Sequence, residues 1–288
     1  MTDTVAVIDI GSNSVRIRVS HEEKVLYRET VTTQLSKDIQ NGMLCYKSIN
    51  RTLDGLSHLF SIAKEYNAKI FAFATAAVRN SKNGGEFVAL VKEKFGVTID
   101  VVSGDEESEL GIMGALGSSD GIVLDVGGAS SEIAVRLNGK IVYKYSLALG
   151  AVTLTDACGK NYERSSALIS DKIKEYGAVP NSGTLYLIGG TATSLAFMLY
   201  GDEKYDREKN HGRIIYAEKL EEIMRELFSL TPQEIVERYH VQKKRADIIH
   251  SGSALISAIM NYLKKDSAIV SENDNLEGYL AFKVKRDF

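Results

Sequence analysis

One chain reversal occurs twice in this sequence, and the pair constrains the fold more than any other feature. An apolar run over residues 5–10 carries Asp9 and ends in the small-residue turn Gly11-Ser12-Asn13-Ser14. A second run, over residues 121–125, ends at Asp125 and turns through Val126-Gly127-Gly128-Ala129-Ser130. Near-continuous apolar character marks strands buried on both faces. Each turn leads into another β-like segment rather than directly into a helix. The two aspartates lie 116 residues apart, a domain-sized spacing and not that of a solenoid. The pattern predicts two related α/β lobes facing each other across a cleft, over residues 1–117 and 118–288, with the final helix packing back on the first lobe. A chain of 288 residues has room for two such units at roughly 150 residues each.

Periodicity fills in the lobes. Residues 15–20 alternate Val15, Ile17 and Val19 with Arg16, Arg18 and Ser20, a strand with one basic face, and residues 24–30 are expected to pair with it. A helix is predicted over 47–67, where Ile49, Leu53, Leu56, Phe60 and Ala63 form one stripe. A strand over 70–74, a helix over 86–95, a strand over 97–102 and an acidic helix over 105–114 follow. In the second half, Ser131–Leu137 and Lys140–Leu147 read as a hairpin over Asn138-Gly139, a favoured two-residue turn. Helices are expected over 161–176, 191–199, 216–228, 232–239 and 243–263, with strands over 184–188 and 267–270 and a last helix over 276–283.

Composition closes off several function classes. Lys and Arg number 35 against 38 Asp and Glu, so the net charge of −3 does not suit a non-specific nucleic-acid binder. Hydrophobic residues make up 44% and charged residues 25%, which excludes collagen-like and disordered chains. Cys45 and Cys158 form neither a redox pair nor a zinc spacing and read as free thiols. The first residues lack a basic leader region, and no run approaches the ~18 apolar residues of a membrane span. A cytoplasmic protein without membrane or nucleic-acid partners is expected.

The chemistry is concentrated in the turns. A strand ending in small residues exposes consecutive backbone N–H groups, which converge on phosphate oxygens. A carboxylate just before such a turn repels phosphate unless a cation lies between, so Asp9 and Asp125 are natural Mg²⁺ partners. Ordinary tight turns capped by Asp are the competing reading. Neither a P-loop nor the Gly-x-Gly-x-x-Gly dinucleotide signature is present. Arg79 follows the small-residue stretch Ala74-Thr75-Ala76-Ala77 and is either a phosphate clamp or a solvated arginine. Ser103-Gly104-Asp105-Glu106-Glu107 opens a helix. Its acids either complement the helix dipole or supply a general base. Gly189-Gly190-Thr191, between strand and helix, either approaches a nucleotide or forms a plain tight turn. The five histidines show no metal spacing.

Taken together these segments resemble the exopolyphosphatase / guanosine pentaphosphate phosphohydrolase family over most of the chain. Its opening motif is similar to residues 8–16, its second to Ala74-Thr75-Ala76-Ala77-Val78-Arg79, and its third to Ser103-Gly104-Asp105-Glu106-Glu107. Leu124-Asp125-Val126-Gly127-Gly128-Ala129-Ser130-Ser131-Glu132 resembles the second phosphate turn, Leu149-Gly150-Ala151-Val152 the segment behind it, and Arg245-Ala246-Asp247 a late helix. The resemblance implies a two-lobed actin-like fold, that of the sugar kinase and heat-shock ATPase superfamily, with a phosphate site in the cleft. It implies Mg²⁺-dependent release of terminal phosphate from inorganic polyphosphate or guanosine pentaphosphate, and a homodimer. By the same resemblance Glu107 would be the catalytic base, and Asp9, Asp125 and Glu132 would stand at the metal. Gly11, Ser12, Asn13, Ser14, Arg79, Gly127, Gly128, Ala129 and Ser130 would hold phosphates.

Three features depart from that pattern. Ala129 stands where glycine is usual, residues 271–278 follow the late motif loosely and lack its arginine, and no counterpart of the additional C-terminal domains of long members is expected. Short polyphosphates are therefore the expected substrates. A small-molecule kinase of the same superfamily and a weakly catalytic polyphosphate- or nucleotide-binding regulator are the alternatives.

Overall fold

The computed structural model describes residues 4–22 and 24–282. The first half comprises β1 (Thr4–Ile10), β2 (Ser14–His21), β3 (Lys24–Thr32), α1 (Tyr46–Glu65), β4 (Lys69–Ala74), α2 (Ala76–Arg79), α3 (Gly84–Phe95), β5 (Ile99–Val101) and α4 (Gly104–Leu116). The second half begins with β6 (Gly121–Val126), β7 (Ser131–Leu137), β8 (Lys140–Leu147), α5 (Ala151–Cys158) and α6 (Tyr162–Lys172). It continues with β9 (Leu185–Ile188), α7 (Gly189–Tyr200), α8 (Arg207–Asn210), β10 (Ile214–Tyr216), α9 (Ala217–Ser229) and α10 (Pro232–Tyr239). The chain then forms α11 (Lys243–Ala246), α12 (Ile249–Tyr262), β11 (Ser267–Val270) and α13 (Asn275–Phe282).

The repeat seen in the sequence is a repeat of topology. One sheet runs β3-β2-β1-β4-β5 and the other β8-β7-β6-β9-β11, extended by β10. In each, the Asp-bearing strand pairs antiparallel with the strand after its turn and parallel with the strand on its other side. The turns close alike: Gly11 N–H donates to Ser14 O and Gly127 N–H to Ser130 O, both at 3.0 Å. Even the register irregularities correspond, at Val19/Ser20 and Val135/Arg136.

Each sheet is covered by helices and has its own core. Leu53, Leu56 and Phe60 of α1 pack with Phe87 and Val91 of α3 against Ile8, Val15 and Ile17. The larger second core joins Leu124, Ile133 and Leu187 to Leu195, Leu255 and Ile259. The α13 helix returns to the first sheet, where Leu276 and Tyr279 join Val5, Val7, Phe73 and Leu110. Tyr279 stacks on Phe73 with ring centroids 4.6 Å apart. α13 also lies against α4, where Gly114 and Gly278 let the two backbones meet without side chains between them.

Several elements differ from the sequence expectation. The helix expected over 243–263 is two helices: it breaks at Asp247 and Ile248, which places Arg245 on a separate short turn. The helix over 161–176 ends at Lys172 and tightens into a 3₁₀ turn, Ile173–Tyr176. The 97–102 strand shortens to Ile99–Val101. Residues 76–79 are helical, and α5, α8 and β10 are additional short elements. The last predicted helix ends at Phe282; its expected terminal residue, Lys283, lies outside the described residues.

Candidate active site

Both Asp-bearing turns point into one cavity of about 100 Å³ between the sheets. Gly11, Ser12, Asn13 and Ser14 line one side, and Gly127, Gly128 and Ser130 the other. The turns nearly touch: a Cβ added to Gly128 would fall 2.8 Å from Ser12 Cβ, too close for any L side chain. Gly189 and Gly190 form a third wall, because Ile188 lies beside Asp125 in the sheet. Gly189 has φ +81°, and a Cβ there would overlap Asp125 Oδ1. Thr75, after β4, fills the matching place in the first lobe, its N–H donating to Ile10 O at 3.3 Å.

Three acids face this space: Asp9, Glu107 and Asp125. Glu107 is buried on the first turn of α4, whose N-terminus is fixed by a capping box between Ser103 and Glu106. Burial pushes its carboxyl up to about 7 even though Arg79 opposes the shift. Asp125 is likewise pushed up to about 7, by burial first and then by the charge of Glu107. Burial also raises Asp9, against the pull of Arg16. Burial penalises the charged forms of these groups, and a cation would offset that penalty.

Four residues singled out in the sequence stand off the cavity wall. Arg79 donates to Glu107 Oε2 at 2.8 Å and to Val102 O at 2.9 Å, and lines a neighbouring cleft with Ser103, Gly104 and Ser146. Glu132 is buried beside Asp125 on β7, one oxygen accepting from Ser146 Oγ at 2.7 Å. Thr191 is turned into the core, its hydroxyl donating to Val126 O at 2.8 Å. Ala129 is buried too. Its backbone does not adopt a positive φ, so the methyl group in place of glycine brings no strain.

The structure adds residues that were not assigned to the site from sequence. Arg16 pairs with both Asp9 and Asp274. A signal for it existed: Arg16 lies opposite Asp9 across the first hairpin, as Glu132 lies opposite Asp125 across the second. Asn275 Nδ2 donates to Asp125 Oδ2 at 3.2 Å from the start of α13. Arg245 spreads its guanidinium over Gly190 and forms no ion pair among the described residues. Burial and the nearby Arg16 hold its pKa down to about 10.

The residues present fit Mg²⁺. Asp9 Oδ1 and Glu132 Oε2 are buried with no hydrogen-bond donor, two carboxylate oxygens left for a cation. Among the described residues no three acidic, histidine or cysteine side chains close around an ion by themselves. Mg²⁺ needs only one or two carboxylates and completes its shell with water and phosphate oxygens. Backbone donors on two turns, an unpaired guanidinium and a recessed carboxylate near neutrality make a site for phosphoryl chemistry with water.

Comparison with known proteins agrees with that chemistry. The model of the Ppx/GppA phosphatase family matches residues 14–286. A bifunctional 3-dehydroquinate synthase/phosphatase of Fusobacterium nucleatum is 29% identical over 95% of this chain, which spans 45% of that protein. Exopolyphosphatase 2 of Mycobacterium tuberculosis is 27% identical over 95% of this chain and 96% of its own length. The crystal structure of the Aquifex aeolicus member of the Ppx/GppA family superposes with a TM-score of 0.80 at 26% identity, covering 99% of this chain and 98% of that one.

Proposed function

This chain belongs to the Ppx/GppA phosphatase family, and from that premise we propose that it is a Mg²⁺-dependent exopolyphosphatase acting on short inorganic polyphosphates, with guanosine pentaphosphate as a second substrate. One observation carries the reading. Two phosphate-type turns converge on a cavity beside Glu107, with two buried carboxylate oxygens left unpartnered nearby.

In this reading the lobes divide at Gly117, and the substrate's terminal phosphate lies between the turns. Backbone N–H groups of Ser12, Asn13 and Ser14 and of Gly128, Ala129 and Ser130 hold its oxygens, while the N–H groups of Gly11 and Gly127 close the two turns. Gly189 and Gly190, with Arg245 across them, receive the phosphates behind it. Asp9 would hold Mg²⁺, with Asp125 and Glu132 reaching it directly or through water, and the ion would offset phosphate charge when bound. Glu107 accepts a proton from the attacking water as the new P–O bond forms. The bridging P–O bond breaks, its electrons leave with the shortened chain, and orthophosphate departs. Positioning and charge compensation supply most of the acceleration, and the base adds about 10²–10⁴-fold.

The experiment is orthophosphate release from tripolyphosphate and medium-chain polyphosphate with Mg²⁺ and no acceptor. Release that shortens chains from their ends supports the reading. Phosphate transfer only when a small-molecule acceptor is added would indicate a kinase instead.

A further inference from the structure

The segment that follows the late motif only loosely runs into the start of α13, and it is firmly held. Ser271 Oγ donates to Asn273 O at 2.9 Å and accepts the Asn273 N–H at 3.1 Å. Glu272 accepts from Asn210 Nδ2 at 2.6 Å and from Tyr205. Asp274 then caps α13 in the manner of a capping box. Its Oδ1 accepts the Leu276 N–H at 3.0 Å, and its own N–H donates to Glu277 Oε2 at 2.9 Å. One oxygen of Asp274 is thereby committed to the cap. The other, Oδ2, accepts from Arg16 Nη1.

That contact decides how Arg16 meets Asp9. An arginine beside a carboxylate commonly takes both of its oxygens in a fork. Here Nε, at 3.0 Å, and Nη2 both donate to Asp9 Oδ2, because Asp274 holds the remaining Nη1. Asp9 Oδ1 is left buried and without a donor. The next residue, Asn275, serves the aspartate of the second lobe, its Nδ2 donating to Asp125 Oδ2 at 3.2 Å. Gly111 of α4 makes room for it, since a Cβ there would come within 3.0 Å of Asn275 Oδ1. Two adjacent, buried residues thus reach the paired aspartates of both lobes.

We propose that Asp274 and Asn275 are positioning residues for the Mg²⁺ site. Asp274 turns Arg16 onto one oxygen of Asp9 so that the other is left for the cation, and Asn275 fixes Asp125 directly. This rests on the reading that Mg²⁺ binds at these aspartates. Neither residue is itself a ligand in this account. Removing such an outer contact from a ligating carboxylate costs about 10–100-fold in metal affinity.

Calorimetric titration of Mg²⁺ into the chain without polyphosphate tests it, for wild type, Asp274→Ser, Asn275→Leu and Tyr279→Phe, at a temperature where circular dichroism shows all of them folded. Serine still caps α13 but is too short to hold Arg16. Leucine keeps the bulk of Asn275 without its donor. Tyr279→Phe removes the 2.7 Å contact from α13 to Asp100, away from the aspartates, and controls for a loosened helix. The Kd for Mg²⁺ should rise about tenfold or more in Asp274→Ser and Asn275→Leu and stay unchanged in Tyr279→Phe. An unchanged Kd in the first two, or an equal rise in Tyr279→Phe, would make the contacts purely structural and overturn the proposal. An unchanged Kd in one of them overturns the role of that residue. If wild type takes up no Mg²⁺, the metal reading itself fails and the proposal falls with it.

Discussion

Arg79 donates to Glu107 from 2.8 Å, so the arginine named from sequence as a phosphate clamp also holds the candidate base. The same Nη1 is fixed by Val102 O at 2.9 Å, which sets the direction from which Glu107 is held. The pair thus joins α2 to the first turn of α4.

This contact fixes a pH dependence. Burial raises the Glu107 carboxyl to about 7, with Arg79 working in the opposite direction. A base must be deprotonated, so kcat should fall as pH drops through about 7. Arg79→Met removes the opposing charge and should move the acidic limb to higher pH. Rate–pH profiles of wild type and variant check this. An unmoved limb in Arg79→Met would separate Arg79 from the base.

Gly189 should tolerate no side chain. Its φ of +81° and the overlap of any Cβ with Asp125 Oδ1 add strain to a lost contact at the site. Gly189→Ala should cost about 1–3 kcal/mol and most of the activity. Gly85 is the contrast. It lies in α3 with open space where a Cβ would go, and Gly85→Ala should stabilise by about 0.5–1 kcal/mol. Urea denaturation midpoints of the two variants check both signs.

Stability should respond to Mg²⁺ in a pH-dependent way. Asp125 titrates near 7 in the folded chain because of burial and then Glu107, against an ordinary value of 3.8. Between those values the folded state binds more protons than the unfolded one, so stability from this group is present at low pH and is lost as pH rises through about 7. A bound cation removes the penalty on the charged carboxylate. Mg²⁺ should therefore raise the melting temperature more at pH 8 than at pH 5, as thermal denaturation would show. Equal shifts at both pH values would argue against Asp125 at the metal.

Much of the fold was legible because its signals are local. Asn138 and Gly139, with φ +52° and +74°, make the hairpin turn their residue types dictate. The Asp9 and Asp125 turns announced two lobes because a phosphate-type turn is written in consecutive residues. What escaped depends on tertiary placement. α5 is only eight residues long and begins at a glycine cap, too short to show a helical period. The break at Asp247 and Ile248 interrupts a pattern that is otherwise continuously helical, and only packing reveals it. Asn275 and Arg245 reach the site from the far end of the chain. Arg79 and Thr191 were named from the right motifs, but side-chain direction took one to Glu107 and the other into the core.

The most direct test of the central claim is Mg²⁺-dependent orthophosphate release from polyphosphate by wild type and Glu107→Gln side by side, with polyphosphate binding measured for both. The account predicts binding in both, and turnover in the variant reduced by about 10²–10⁴-fold. A Glu107→Gln enzyme that releases phosphate at the wild-type rate would contradict it.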